Sequence, residues 1–335
     1  MKWRMLLAVI FGSSVSAPAT FSQRPPAAER LSLERSASQP DAFFSSIGMV
    51  QFQLIQGRLR LNPPLHRKGA QQRSDPNGFE RILVTATRGI PSLHYVSQRS
   101  IASPPSRQHL MLSVQDACQV KIDSAWLHRG ERSVLYQPEF GSIRWEITRQ
   151  GRRETCVGAT LFHVRLHDPH RFDQHFGDLI FRLLRGVSLA QLSDEIIAAV
   201  LSDRIELPQM GADEVAQCVD ALRAPQQGDR MSAQRQLLIW GTPVIAMLQQ
   251  VSPDDLDLEQ QTRVTETIRM LRPRVDDTPR SLAMLVVNDR QFWSLAKPWL
   301  SETQWTAVRA HLRRVGLPIR ARPEQTADCV AVQSP

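Results

Sequence analysis

The sequence predicts an α+β protein: an antiparallel β-domain, as a sandwich or partly open barrel, followed by an all-α domain. Two patterns carry this expectation. From residue 46 to 167 apolar residues recur with a period of two, and from Asp168 onward with a period near 3.6, the repeats of a half-buried strand and of an amphipathic helix. Size supplies a third argument, because a chain of 335 residues is long enough for two parts with real cores.

The first residues, MKWRMLLAVIFGSSVSAPAT, place Lys2 and Arg4 before a short apolar run over 5–11, then small residues ending in Ala17-Pro18-Ala19. That is the three-part pattern of a secretory signal. Residues 1–19 are expected to be removed after Ala19, since cleavage after Ala17 would leave Pro18 at the new N-terminus. The apolar run is about half the length of a bilayer-spanning helix. No later segment is long and apolar enough to span, so no transmembrane segment is expected after signal removal, and the expected location is periplasmic or secreted. Residues 20–45 mix Pro, Ala, Ser and Gln with little hydrophobic pattern and are expected to be a disordered leader.

Within 46–167 the alternating runs are Val50, Phe52 and Leu54; Leu110, Leu112 and Val114; Cys118, Val120 and Ile122; Ile143, Trp145 and Ile147; and Phe162, Val164 and Leu166. Six to eight short strands, each with one apolar face, follow from this. Arg149-Gln150-Gly151-Arg152 suits a hairpin turn, and the stretch 62–78, with three prolines and two glycines, a long loop.

At Asp168 a helix is expected to start, with Asp168 as its cap and Pro169 at the first helical position. Phe172, Phe176, Leu179, Ile180 and Leu183 form its apolar stripe, and Gly186 closes it. Ser188 and Gln191 make a capping-box pattern before the next helix. Further helices are expected at about 211–224, 231–240, 243–250, 254–271, 279–287 and 301–315, giving a helical domain over 168–318 and a flexible tail over 319–335.

Several stretches suggest chemistry that their spacing does not sustain. FHVRLHDPHRFDQH, 162–175, holds four of the nine histidines. On a strand, His163 and His167 lie roughly 13 Å apart, and on the following helix His170 and His175 point about 140° apart. Only His167 and His170 could meet, across the strand-to-helix corner, and two ligands make a poor zinc site. SPDDLDLEQ, from Ser252, lacks the central glycine and terminal glutamate of a calcium loop, and its acids suit a first helical turn. Trp293, Trp299 and Trp305 fall six residues apart, and Pro298 breaks the run, so packing of at least two is expected. No Gly-x-Ser-x-Gly, His-Glu-x-x-His, phosphate-binding glycine loop or Cys-x-x-Cys occurs. No catalytic, cofactor-binding or metal residue is therefore singled out, and no cofactor is expected. Cys118, Cys156, Cys218 and Cys329 leave three full disulfide pairings open. Cys118 and Cys218 fall on apolar faces, as small buried hydrophobes do.

Net charge is +8, almost all of it arginine, since the lysines are only Lys2, Lys68, Lys121 and Lys297. An exported protein with no basic block interleaved with aromatics does not suit nucleic acid. An envelope protein or an anionic envelope polymer fits better.

Residues 231–271 resemble a HEAT-type repeat. Leu237, Leu238 and Gly241 end one helix, Val244, Ile245 and Leu248 form a short second, Asp254 and Asp255 mark an acidic turn, and Arg263, Ile268 and Leu271 lie in the helix after it. The match covers about one repeat, extended by the helices over 279–315 without a clear second copy, so a small bundle of HEAT-like pairs is expected rather than a solenoid. The resemblance implies a contact surface for another macromolecule and no reaction. Together these features suggest a non-catalytic binding or scaffold component of the cell envelope. The alternative is an extracytoplasmic hydrolase of polysaccharide or peptide using Asp123, Glu139 and Glu146 of the β-domain.

Export of the full chain should yield a mature form starting near Thr20. N-terminal sequencing that finds only unprocessed protein in the cytoplasm would contradict this.

Overall fold

The computed structural model describes residues 43–44, 48–62, 69–76, 78–102, 105–202, 210–271, 276–314 and 332–333. The fold is α+β. A hairpin of β1 (Phe52–Ile55) and β2 (Arg58–Leu61) precedes a long antiparallel meander. Its strands are β3 (Gly69–Asp75), β4 (Gly78–Thr87), β5 (Ile90–Ala102), β6 (Pro105–Gln115), β7 (Gln119–Trp126), β8 (Glu131–Gln137), β9 (Ile143–Arg149) and β10 (Arg152–Gly158), each beside its neighbour in sequence. A short β11 (Val332–Gln333) extends the β10 edge.

Tight turns impose this order. Gln56-Gly57, Arg88-Gly89 and Gln150-Gly151 all place both central residues at positive φ, as the turn that matches the right-handed strand twist demands. The sheet is one open layer with edges at β3 and β11, not a sandwich, because helices rather than a second sheet cover its apolar face.

Helices follow without interruption of the core. They are α1 (Leu161–His167), α2 (169–183), α3 (Leu189–Leu201), α4 (Ala212–Ala221), α5 (Gln227–Trp240), α6 (Val244–Gln250), α7 (Leu258–Leu271), α8 (Pro279–Val286), α9 (Arg290–Ala296) and α10 (Glu302–Arg314). A π-helical turn, Asp173–Gly177, lies inside α2. One continuous apolar core runs from Phe44 through Tyr95, Ile122 and Trp145 of the sheet to Phe172, Ile196, Leu285, Trp293 and Leu312 of the helices. The expected two domains thus share a core. A second cluster, including Val219, Leu237, Val244, Leu248, Val264 and Ile268, joins α4 to α7.

Four expectations need correction. The run 162–166 is helix, not strand: Thr160 caps it, and burial of Leu161, Phe162, His163 and Val164 in succession removes the solvent-facing side that alternation implies. Helix therefore begins at Leu161 rather than Asp168. The loop expected over 62–78 contains β3, an exposed edge strand whose polar side chains gave no alternation. The leader expected over 20–45 includes Phe43 and Phe44, which are 2% and 0% exposed; Phe44 meets Tyr95 edge-on at 5.2 Å. The tail expected over 319–335 includes Val332–Gln333, paired in β11. The signal at 1–19, the rest of the leader and tail, and Cys329 lie outside the described residues.

Caps fall where the sequence puts them. Asp168 Oδ1 accepts the Arg171 amide at 3.0 Å with Pro169 behind it. Ser188 Oγ accepts from Ala190 and Gln191, and Thr278 and Ser301 cap α8 and α10. The helix α9, absent from the sequence expectations, is capped by Asp289 Oδ1 accepting the Phe292 amide at 3.0 Å.

Phe172 and Phe176 are both fully buried against Trp145 of β9, at 5.4 and 6.4 Å between ring centroids. Replacing either with Ala should cost about 3 to 5 kcal/mol, and Asp168→Ala only about 1 kcal/mol. Urea unfolding that reversed this order would refute the shared core.

Candidate binding face

The two faces of the meander differ because only one meets helices. On the covered face, the polar end of the sheet lies beneath α2. Arg171, His175, Asp178 and Arg182 form one stripe of α2, spaced four, three and four residues apart. Arg171 lies 3.4 Å from Glu131. Asp178 pairs with Arg99, and Arg182 forks onto Glu80 at 2.8 and 3.1 Å. Arg182 also sits 5.5 Å above the Phe44 ring. Burial would raise the Glu80 pKa, but Arg182 and Arg99 outweigh it and hold the carboxyl at about 2. The Tyr95 hydroxyl, donating to Glu80 at 3.0 Å, is pushed by burial to about 12.

His175 sits in the π turn. Its Nδ1 is 3.0 Å from the Ser124 hydroxyl, which accepts from Gln108. Its Nε2 faces Glu131 at 3.4 Å. Burial lowers its pKa, against the pull of Glu131. This Ser-His-Glu sequence has the order of a proton relay, but Ser124 is 0% exposed, so no substrate bond can reach its oxygen. A shallow cleft beside it, with room for little more than a water molecule, is lined by Tyr95, Arg99, Gln108, His175, Asp178 and Arg182.

The other histidines are engaged in structure. With 161–167 helical, His163 and His167 stand one turn apart, so the distance argument against a shared metal no longer applies. Bonding partners separate them instead. His163, fully buried, places Nδ1 2.9 Å from Thr160 Oγ1 and Nε2 3.0 Å from Asp289. The carboxylate only accepts, so Nε2 carries the proton. Burial disfavours ionised Asp289, yet His163 and the Phe292 and Gln250 donors hold its pKa below the usual range. His167 Nε2 is 3.2 Å from the Val157 carbonyl, and His170 is exposed. Among the described residues no group of three or more His, Cys, Asp or Glu is placed to hold a metal ion. Cys156 is disulfide-bonded, Cys218 is a free thiol, and Cys118 and Cys218 are both half-buried.

The tip of the β1–β2 hairpin joins the same region. Gly57 donates to Asp277 Oδ2 at 2.7 Å, and its carbonyl accepts from Leu161 at 2.9 Å. A Cβ on Gly57 would lie 2.7 Å from Thr160 Cβ, and φ is +69°, so glycine is required there. Burial pushes Asp277 up to about 6 against the pull of the Gly57 and Gln56 amides and of Ser281.

The opposite face of the sheet is open among the described residues. Strand register lays its side chains in rows across β4 to β10, about 35 Å wide. One row is Leu83, His94, Ser113, Lys121, Tyr136, Arg144 and Val157. The next runs Arg81, Val96, Met111, Asp123, Val134, Glu146 and Thr155. Outward basic residues are Arg81, Arg107, Lys121, Arg132, Arg144 and Arg153; the acids are Asp123 and Glu146. Asp123 pairs with Arg132 and Glu146 with Arg153. Arg81, Arg107, Lys121 and Arg144 have no ion-pair partner among the described residues, which leaves the face strongly positive.

The carboxylates weighed for hydrolysis do not converge. Asp123 and Glu146 lie two strands apart on this open face, each held by an arginine, and Glu139 sits in the β8–β9 loop, 2.7 Å from Arg269 of α7. Trp293 and Trp305 are core, while Trp299 is half exposed with its Nε1 donating to the Leu166 carbonyl at 2.9 Å. Asp254 and Asp255 occupy a single 3-10 turn. The α2 stripe was detectable as a 4-3-4 spacing of Arg, His, Asp and Arg, whereas the open-face rows have no local signal, since register alone assembles them. No helix among the described residues is long and apolar enough to cross a membrane. Comparison with protein-family models, curated proteins and solved structures finds no match.

Because Asp277 binds its proton more tightly folded than unfolded, the fold should gain stability as pH falls from 7 towards 4, by about 2 to 3 kcal/mol from this group. Glu80 acts in the opposite sense at lower pH, its stabilisation being full above about 4.5 and lost as pH falls through about 2. Asp277→Asn should flatten the pH 4 to 7 part of a urea-unfolding profile. An unchanged slope in that window would show that Asp277 is not the group responsible.

Proposed function

We propose that this chain is an exported, non-catalytic binding component of a cell envelope, and that the open face of its sheet holds an anionic envelope partner. One observation carries the reading: a broad sheet face that no described helix covers, with four outward cations free of ion pairs against no free acid among its described side chains. Such a face attracts anions over a distance set by salt. Export rests on the N-terminal pattern of charged, apolar and small residues. The HEAT-like helices around 231–271 supply a second surface, suited to a protein neighbour. A hydrolase reading draws less support, because Asp123 is buried beneath Arg132, Glu146 is paired with Arg153, and the two lie two strands apart without converging.

Mature protein should co-sediment with isolated anionic envelope material at low salt and be released as salt rises. The Arg81→Glu, Arg107→Glu double variant should weaken retention by roughly tenfold or more while unfolding normally. Retention unaffected by salt and by this variant would rule out the open face as the binding surface.

A further inference from the structure

The open face is not uniform. At its centre, β7, β8 and β9 bring Lys121, Tyr136 and Arg144 side by side in one row, Lys121 opposite Tyr136 and Tyr136 opposite Arg144. All three are exposed, Tyr136 by 37%. Among the described residues none of the three makes a side-chain hydrogen bond or ion pair. The two cations stand about 10 Å apart across two strand spacings, with a phenol ring between them. Ser113 and Thr155 add hydroxyls nearby on the same face.

Resting on the reading of the open face as an anion-binding surface, we propose that this row is a subsite for an acidic sugar residue of an extended anionic polysaccharide. Three features of the row select that chemistry. A sugar ring has an apolar face, which a half-exposed tyrosine can cover while its hydroxyl bonds the ring's edge. The Arg144 guanidinium is a planar fork matched to a carboxylate or sulfate, and Lys121 is a point charge that tolerates varied anion positions. Two cations about 10 Å apart with a ring-sized platform between them match carboxylates two sugars apart on a polyuronate, rather than the denser charge of a polyphosphate. A lipid surface fits less well. The apolar side chains of the face are few and broken up by charge: Leu83 stands on β4, the half-buried Val96 and Met111 pair on β5 and β6, and Val134 is set apart from them between Asp123 and Glu146, so they form no large patch to insert.

Titration calorimetry of the full mature chain with an oligogalacturonate at low salt tests this. Binding is expected, with Tyr136→Ala weakening it by about tenfold, Tyr136→Phe within about twofold of the parent, and Lys121→Gln and Arg144→Gln each several-fold weaker; thermal unfolding of each variant checks that the fold is intact. Equal binding of a neutral glucan would overturn the acidic-sugar assignment. If polyphosphate binds as well as oligogalacturonate and Tyr136→Ala binds like the parent, the subsite falls while the anionic face stands. Preference for vesicles containing phosphatidylglycerol over both polymers would replace the polysaccharide with a membrane surface. Failure of every anionic probe, together with envelope retention unchanged in the Arg81→Glu, Arg107→Glu variant, would remove both readings.

Discussion

A guanidinium taken out of water must find its hydrogen bonds inside the protein, and Arg58 sets that requirement at the centre of this fold. It is 5% exposed. Its Nη1 donates to Gly141 O, Ala159 O and Gln249 Oε1 at 2.9 to 3.0 Å, and its Nη2 to Pro138 O at 2.6 Å. Those acceptors come from the β8–β9 loop, the corner where sheet becomes helix, and α6. A buried charge left without such partners costs several kcal/mol, so the three segments are held in one arrangement. Lysine could not replace it, because an ammonium cannot spread donors over so wide a fork.

The rest of the junction is built on that point. Gln137 ties β2 to the sheet by exchanging bonds with Leu59 and donating to Cys118 O. Gly57 lets the hairpin tip press against Thr160, and Gly158 lets β10 run close beneath His163, where a Cβ would meet His163 Cβ at 2.2 Å. Thr160 caps α1 and faces His163, which reaches Asp289 at the start of α9. A chain of polar contacts therefore links the first hairpin to a helix more than two hundred residues later. It explains why the sheet and the helices form one core instead of two domains.

Covering one face of the meander also determines what the other can do. The helices bury the apolar rows and, through the α2 stripe, neutralise the polar strand ends beneath them. Among the described residues nothing comparable lies on the outward rows, so Arg81, Arg107 and Arg144 remain available to solvent and to partners. A rigid sheet holds such groups at fixed spacings, which is the physical basis for proposing selectivity there rather than mere charge attraction. The Ser124, His175 and Glu131 contacts show the contrast: they are polar groups buried at the seam between the sheet and α2.

The sequence by itself determined the α+β class, the change of period, most helix caps and the Gln150-Gly151 turn, because each depends on neighbours within a few residues. Asp168, Ser188, Thr278 and Ser301 cap helices through bonds that span two or three positions. Where a segment was short and buried all round, the local rule failed. Phe162, Val164 and Leu166 alternate as a strand would, yet His163 and Arg165 between them are buried by Asp289 and Asp173, and helix results. Phe44 looked like part of a polar leader until Tyr95 and Arg182 supplied its pocket. Tertiary structure alone decided which residues share the open face, since Lys121, Tyr136 and Arg144 meet only through strand register, a property of pairing between segments that no single segment encodes.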